Sequence, residues 1–143
     1  STQAKTLFPY TTLFRSIVAT ALVAAVGDGG QFRNGRQMAA ALGLTPKQHS
    51  SGGKDRQLGI SKRGDAYLRT VLIHGARSTI RTANGKRDRL SQWVMALAAR
   101  RHPNVVATAL ANKTARMAWA MLTHGTDYQP NLIATKEWTR SGN

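Results

Sequence analysis

The densest group of chemistry-bearing residues lies between His49 and Arg56, where the chain reads His-Ser-Ser-Gly-Gly-Lys-Asp-Arg. Glycines let a backbone approach a phosphate closely, and consecutive N–H groups in such a turn can form an anion-binding nest. Lys54 and Arg56 add cationic donors for phosphate oxygens. A serine hydroxyl held in that nest is placed to attack phosphorus when a base or a metal takes its proton. The pattern is not a P-loop, because no GxxxxGK followed by Ser or Thr occurs, and a nucleotidase reading fails on that ground. The bland reading of the same residues is a flexible loop, since Ser-Ser-Gly-Gly is ordinary linker composition.

Other reactive groups are sparse. Asp28, Asp55, Asp65, Asp88, Asp127 and Glu137 occur singly, with no pair at helical spacing. A two-metal nuclease needs several carboxylates converging on Mg²⁺, so this chain is not expected to hold a metal by itself. His49, His74, His102 and His124 are equally dispersed, without HxxxH or HExxH spacing. Cysteine is absent, which removes disulfides, thiolate catalysis and cysteine-ligated metal.

The charge is the other strong signal. Twenty-one Lys and Arg face six Asp and Glu in 143 residues, a net charge of +15. Such a surface attracts phosphate polyanions and binds them with release of counterions. Membrane-surface binding concentrates its cations on one amphipathic helix, whereas these run along the whole chain. DNA or RNA is therefore the expected partner. The longest apolar run, Ile17 to Val26, is half of a membrane span, and Pro9, Tyr10 and Arg15 break any secretory signal. A cytoplasmic protein without a membrane anchor is expected. With 41% hydrophobic residues, one folded domain is also expected.

The elements that must position the His49–Arg56 stretch read as helices. Ile17 to Val26 predicts an apolar helix ended by Gly27-Asp28-Gly29-Gly30. Asn34 caps a second helix over Gly35 to Leu42, stopped by Gly43 with Pro46 beyond it. Two helices around a glycine turn resemble half of a helix-hairpin-helix, in which N–H groups at a helix N-terminus face phosphate. Lys47 to Ile60 predicts a basic glycine-rich loop with room for a short strand pair near its ends. From Ser61 or Lys62 to Ala83 a long helix puts Leu68, Val71, Leu72, Gly75, Ala76 and Thr79 on one face. Lys62, Arg63, Arg77 and Arg81 fall opposite, as candidate phosphate contacts. Gly75 on the apolar face suggests close helix–helix approach. Asp88 to Arg101 predicts a helix with Leu90, Trp93, Val94 and Leu97 in register, ended by His102-Pro103. Asn104 to Leu122 predicts the last helix, with Val106, Leu110, Met117 and Met121 inward and Lys113 and Arg116 between. The expected fold is mainly α, a helical bundle interrupted by one basic loop.

The ends differ in character. Thr6 to Ser16, TLFPYTTLFRS, has neither helical nor alternating periodicity and resembles, over all eleven residues, the translated product of a DNA-sequencing adapter. Residues 1–16 are accordingly expected to be a non-native leader, residues 17–125 the domain, and residues 126–143 a loose polar tail.

Three stretches carry a family resemblance: IVATALVAAVGDGGQFRNGRQMAAALGLTPKQHSSGGK, LGISKRGDAYLRTVLIHGAR and RHPNVVATALANKTARMAWAMLTHG. They resemble, in order and over roughly Ile17 to Tyr128, the C-terminal domain of transposases of the insertion sequence 110 family, which includes insertion sequences 116 and 902. The resemblance implies a DNA transposase and recombinase of bacterial mobile elements, associated with the nucleoid. It implies a serine of a Ser-Gly motif that attacks the DNA backbone and forms a phosphoserine link. The matching residue is Ser51, which precedes Gly52, with Ser50 beside it. It also implies an upstream RuvC-like domain whose acidic residues hold Mg²⁺, a homo-oligomer across which the two domains complete one site, and a structured bridge RNA as guide. Because those acidic residues are absent from this sequence, little or no recombination is expected of the chain alone. The competing readings are a non-catalytic basic DNA- or RNA-binding module and a ribosomal-type RNA scaffold.

Overall fold

Helix caps set most of the element boundaries. The computed structural model describes the backbone of residues 12–51 and 54–125, and the side chains of residues 17–45 and 60–125. The elements run α1 (Thr12–Val26), α2 (Gly35–Ala41), β1 (Pro46–Ser51), β2 (Lys54–Ile60), α3 (Ala66–Thr82), α4 (Arg89–Ala98) and α5 (Pro103–His124). The described part is thus mainly helical, with one two-stranded antiparallel hairpin. The expected loose tail lies outside the described residues, as do residues 1–11 of the expected leader.

Asn34, Asp65 and Asp88 each accept from a backbone N–H three residues on, at 2.9, 3.1 and 3.1 Å, starting α2, α3 and α4. His102 Nδ1 accepts from Asn104 N at 3.1 Å ahead of Pro103, where the missing N–H of proline costs nothing. Gly125, at φ 64°, closes α5 in the left-handed conformation.

The core is organised along α5. Val106, Leu110 and Met121 are buried there together with Ala107, Ala111, Ala115 and Ala118. Alanines at helical spacing leave room for neighbouring backbones, and both α3 and α2 lie against α5. The α2 contact is the tighter one: a Cβ at Gly35 would stand 3.0 Å from Arg116 Cα. Leu68, Leu72 and Ala76 of α3 are buried as the wheel predicts, and α1 lies across α3. Gly75 faces Val18 at that crossing, where a Cβ would meet Val18 Cγ2 at 3.4 Å, an ordinary van der Waals contact. The turn between α1 and α2 is fastened to α5. Trp119 Nε1 donates to the Gly29 carbonyl at 3.1 Å, and Thr123 Oγ1 to that of Asp28 at 3.3 Å.

Three helix boundaries differ from the sequence reading by three residues or more. Helix α1 begins at Thr12, five residues before Ile17, because extending an existing helix costs far less than starting one. Helix α3 begins at Ala66 rather than at Ser61 or Lys62. Lys62 (φ 56°) and Gly64 (φ 84°) are left-handed, and the Asp65 carboxylate takes the cap. Lys62 and Arg63 therefore lie in the link before α3 and not on the helical face opposite Leu68. Helix α4 ends at Ala98, three residues before Arg101.

Ser91 is fully buried in the first turn of α4, and its hydroxyl has no hydrogen-bond partner. Ser91→Ala removes that desolvated hydroxyl and leaves the Ser91 N to Asp88 bond intact. It is expected to stabilise the fold by about 1 kcal/mol, read as a higher urea midpoint at unchanged m.

Candidate nucleic-acid interface

The hairpin projects from a tightly built root. Leu44 N and Gly43 N donate back to Ala39 and Ala40 carbonyls at 3.0 Å each, and Gly43 takes φ 73°. The ladder continues beyond the strands, with Ser61 N to Thr45 O at 2.8 Å and Lys62 N to Gly43 O at 3.1 Å. The two incoming backbones are nearly in contact. A Cβ at Gly64 would overlap the Ala41 carbonyl oxygen, and one at Gly43 would sit 2.6 Å from Arg63 N. Arg69 pins the crossing, its Nη1 donating to Leu42 O at 3.3 Å and Arg63 O at 3.1 Å. Asn112 of α5 donates to Leu44 O at 3.1 Å. Sequence reading missed Arg69 and Asn112, because their partners Leu42 and Leu44 lie 27 and 68 residues away along the chain.

The segment read as a loop is paired along most of its length. Ser51 opposes Lys54, Ser50 opposes Asp55, His49 opposes Arg56 and Gln48 opposes Gln57, with an irregularity before Pro46 and Ile60 meet. Residues directly opposed in an antiparallel ladder share a face, and successive residues alternate between faces. Ser51, Lys54, His49 and Arg56 therefore occupy one face of the ribbon, and Ser50 and Asp55 the other. Gly52 and Gly53, between the strands, lie outside the described residues. The sequence reading allowed a strand pair only near the ends of this segment, because nearly every residue is polar and no apolar alternation marks the strands.

The remaining predicted cations are not gathered at one point. Lys62 and Arg63 stand exposed beside the hairpin root, near Tyr67, which is 63% exposed in the first turn of α3. Arg77 and Arg81 are exposed on α3, about 17 Å or more along the helix from its start. They line the same helix but do not reach the root. Among the described residues no three His, Asp or Glu side chains come together to hold a metal ion. No helix among them is long and apolar enough to cross a membrane.

A second cationic group arises where α2 meets α5. Lys113 is half-buried, with Nζ 4.9 Å from the Trp93 ring centroid, rather than pointing freely between core positions. Burial, and then the Arg116 charge, hold its amine below the ordinary lysine range. Arg116 is exposed overall, yet partial loss of hydration and the Arg36 charge likewise lower its guanidinium. For Lys113, between the lowered folded value and the ordinary lysine value of 10.5, the unfolded chain binds more protons than the folded one. Unfolding free energy contributed by this group therefore rises with pH across that window. The difference in stability between the wild type and Lys113→Met is expected to move in favour of the wild type from pH 8 to pH 10.5. Paired urea titrations check it, and a constant difference would refute it.

Comparison with known proteins gives a coherent result. Residues 14–92, more than half of the chain, match the family described as Transposase IS116/IS110/IS902 family. The chain is 57% identical over 114 residues to a protein of Pseudomonas aeruginosa described as a probable family 20 transposase, covering 80% of this chain and 34% of that one. It is 50% identical over 113 residues to the transposase for insertion sequence element IS1111A of Coxiella burnetii, covering 79% and 31%. Against the transposase for insertion sequence element IS1328 of Yersinia enterocolitica it is 45% identical over 111 residues, covering 78% and 33%. The chain spans about a third of the length of these curated relatives.

Proposed function

The chain belongs to the IS116/IS110/IS902 family of transposases, and from that premise we propose that it is the DNA-binding, serine-bearing part of a DNA recombinase. The observation that supports this reading most is the strand register. It sets Ser51 opposite Lys54, on the face shared with Arg56 and beside the two-glycine connection, in a chain of net charge +15.

In the proposed reaction the Ser51 hydroxyl oxygen attacks a backbone phosphorus and gives up its proton to a base. The Oγ–P bond forms, the bond from phosphorus to one deoxyribose oxygen breaks, and that leaving oxygen takes up a proton in turn, so no net proton is gained or lost. The phosphodiester's bond energy is kept in the phosphoserine, and the hydroxyl of another strand reverses the step to rejoin the DNA. Lys54 and Arg56 neutralise the phosphate oxygens as charge develops on them. Lys62, Arg63, Arg77 and Arg81 are proposed contacts to backbone phosphates further along the duplex.

The residues described here do not form a set that fits Mg²⁺. In this reading the metal belongs to a RuvC-like domain and no step is assigned to it in this chain. A guide RNA, a homo-oligomer and a cytoplasmic, nucleoid-associated site of action are parts of the same proposal, and they rest on the family resemblance. The test is to exchange the matching segment of the Pseudomonas relative for this one and trap covalent protein–DNA adducts on element-end DNA. Adducts lost with Ser51→Ala support the reading. Unchanged adducts, or salt-sensitive DNA binding with no adduct in any variant, would leave only a basic binding module.

A further inference from the structure

Cations that a fold brings together on its surface raise the local attraction for an anionic ligand. Arg36, Lys113 and Arg116 come from two helices held against each other at their backbones, since Gly35 leaves no room for a Cβ beside Arg116. The backbones that carry Arg36 and Arg116 cannot separate without opening the α2–α5 contact. Among the described residues, the charges that act on Lys113 and Arg116 are cationic, Arg116 on the first and Arg36 on the second. The carboxylates of Asp28, Asp65 and Asp88 are each engaged with a backbone N–H of their own turn. Trp93 stacks under the Lys113 amine at 4.9 Å, which positions it without neutralising it.

The location is as informative as the charge. Asn112, which hydrogen-bonds the hairpin root at Leu44 O, directly precedes Lys113, and Arg116 follows about 6 Å further along α5. The group therefore adjoins the root of the ribbon that carries Ser51.

We infer that Arg36, Lys113 and Arg116 form a second phosphodiester-binding patch, which holds the backbone of a nucleic acid beside the hairpin root and fixes its register against Ser51. This rests on the transposase reading above and extends it to residues that the reading does not use. The ligand chemistry is a row of phosphate oxygens. A fork of guanidinium donors and one ammonium suits it better than a lone carboxylate, because three positive charges are available to be matched.

The test uses the 143-residue chain and fluorescein-labelled 20-base-pair duplexes, one of DNA and one of RNA, with anisotropy followed against NaCl concentration. Arg36→Gln combined with Arg116→Gln is expected to weaken binding roughly tenfold and to flatten the log–log salt slope by about 1.8, at about 0.9 per phosphate. Arg36→Lys with Arg116→Lys keeps the slope, because charge and not packing is the agent. The free double Gln variant should melt no lower than the wild type, since it loses mutual repulsion. A loss larger on the DNA or on the RNA duplex identifies which of the two the patch holds. Wild-type affinity and slope in the double Gln variant, with binding lost in Lys54→Gln/Arg56→Gln, would overturn the patch and leave the transposase reading standing. A wild-type chain that binds neither duplex would overturn both.

Discussion

Gly64→Ala is expected to destabilise the fold by about 3 kcal/mol or more, the largest loss anticipated for adding one methyl group to this chain. Two effects add. The residue has φ 84°, and forcing a Cβ into the left-handed region costs about 1–2 kcal/mol. The new carbon would also overlap the Ala41 carbonyl oxygen, which is backbone and cannot rotate aside. Relieving such a clash by moving packed segments typically costs about 1–3 kcal/mol. Gly85 separates the two effects, because its φ is 82° but nothing lies within 4 Å of its would-be Cβ. Gly85→Ala is accordingly expected to cost only about 1 kcal/mol. Urea melts of the two variants decide the matter: equal losses would mean that the α2-to-α3 crossing is looser than described. Because the same crossing roots the hairpin, Gly64→Ala should also weaken duplex binding more than Gly85→Ala does.

Ser51→Ala is expected to abolish covalent adducts in the exchanged Pseudomonas relative, by about a thousandfold or more, as loss of a nucleophile does elsewhere. Its effect on duplex binding by the chain alone should be under about twofold, since one neutral hydroxyl contributes little beside a net charge of +15. Ser50→Ala is the matched control. Ser50 is one residue away but shares its face with Asp55, whereas Ser51 shares its face with Lys54 and Arg56. Adducts retained in Ser51→Ala and lost in Ser50→Ala would reverse the assignment.

Much of the helical frame was legible in the residues, because its determinants are local. Asn34 and Asp88 announce α2 and α4 by capping chemistry that acts over three residues. The buried positions Leu68, Leu72, Leu90, Val94, Val106 and Leu110 follow from helical spacing alone. Gly75 was readable as a close-approach site, and Val18 is what approaches it. Where local signals competed, the reading failed. Lys62 and Arg63 look like the start of α3 until Gly64 and the Asp65 cap take precedence.

By itself the sequence determined that the chain is basic, helical and a transposase relative, and that the His49–Arg56 segment is where its reactive groups collect. Those properties depend on composition and on spacings of a few residues. Only the tertiary structure decided which groups are neighbours. The register that divides Ser51 from Ser50 depends on pairing across the hairpin, and its polar faces leave no trace in hydropathy. The root depends on backbones brought together from residues 41–44 and 61–64 and on the side chain of Asn112. The Arg36, Lys113 and Arg116 group joins positions up to 80 residues apart, numbered along the chain. Arg36 reaches Arg116 only because Gly35 lets α2 lie against α5. Charge acts through distance in space, and no spacing along a chain records that distance until the chain is folded.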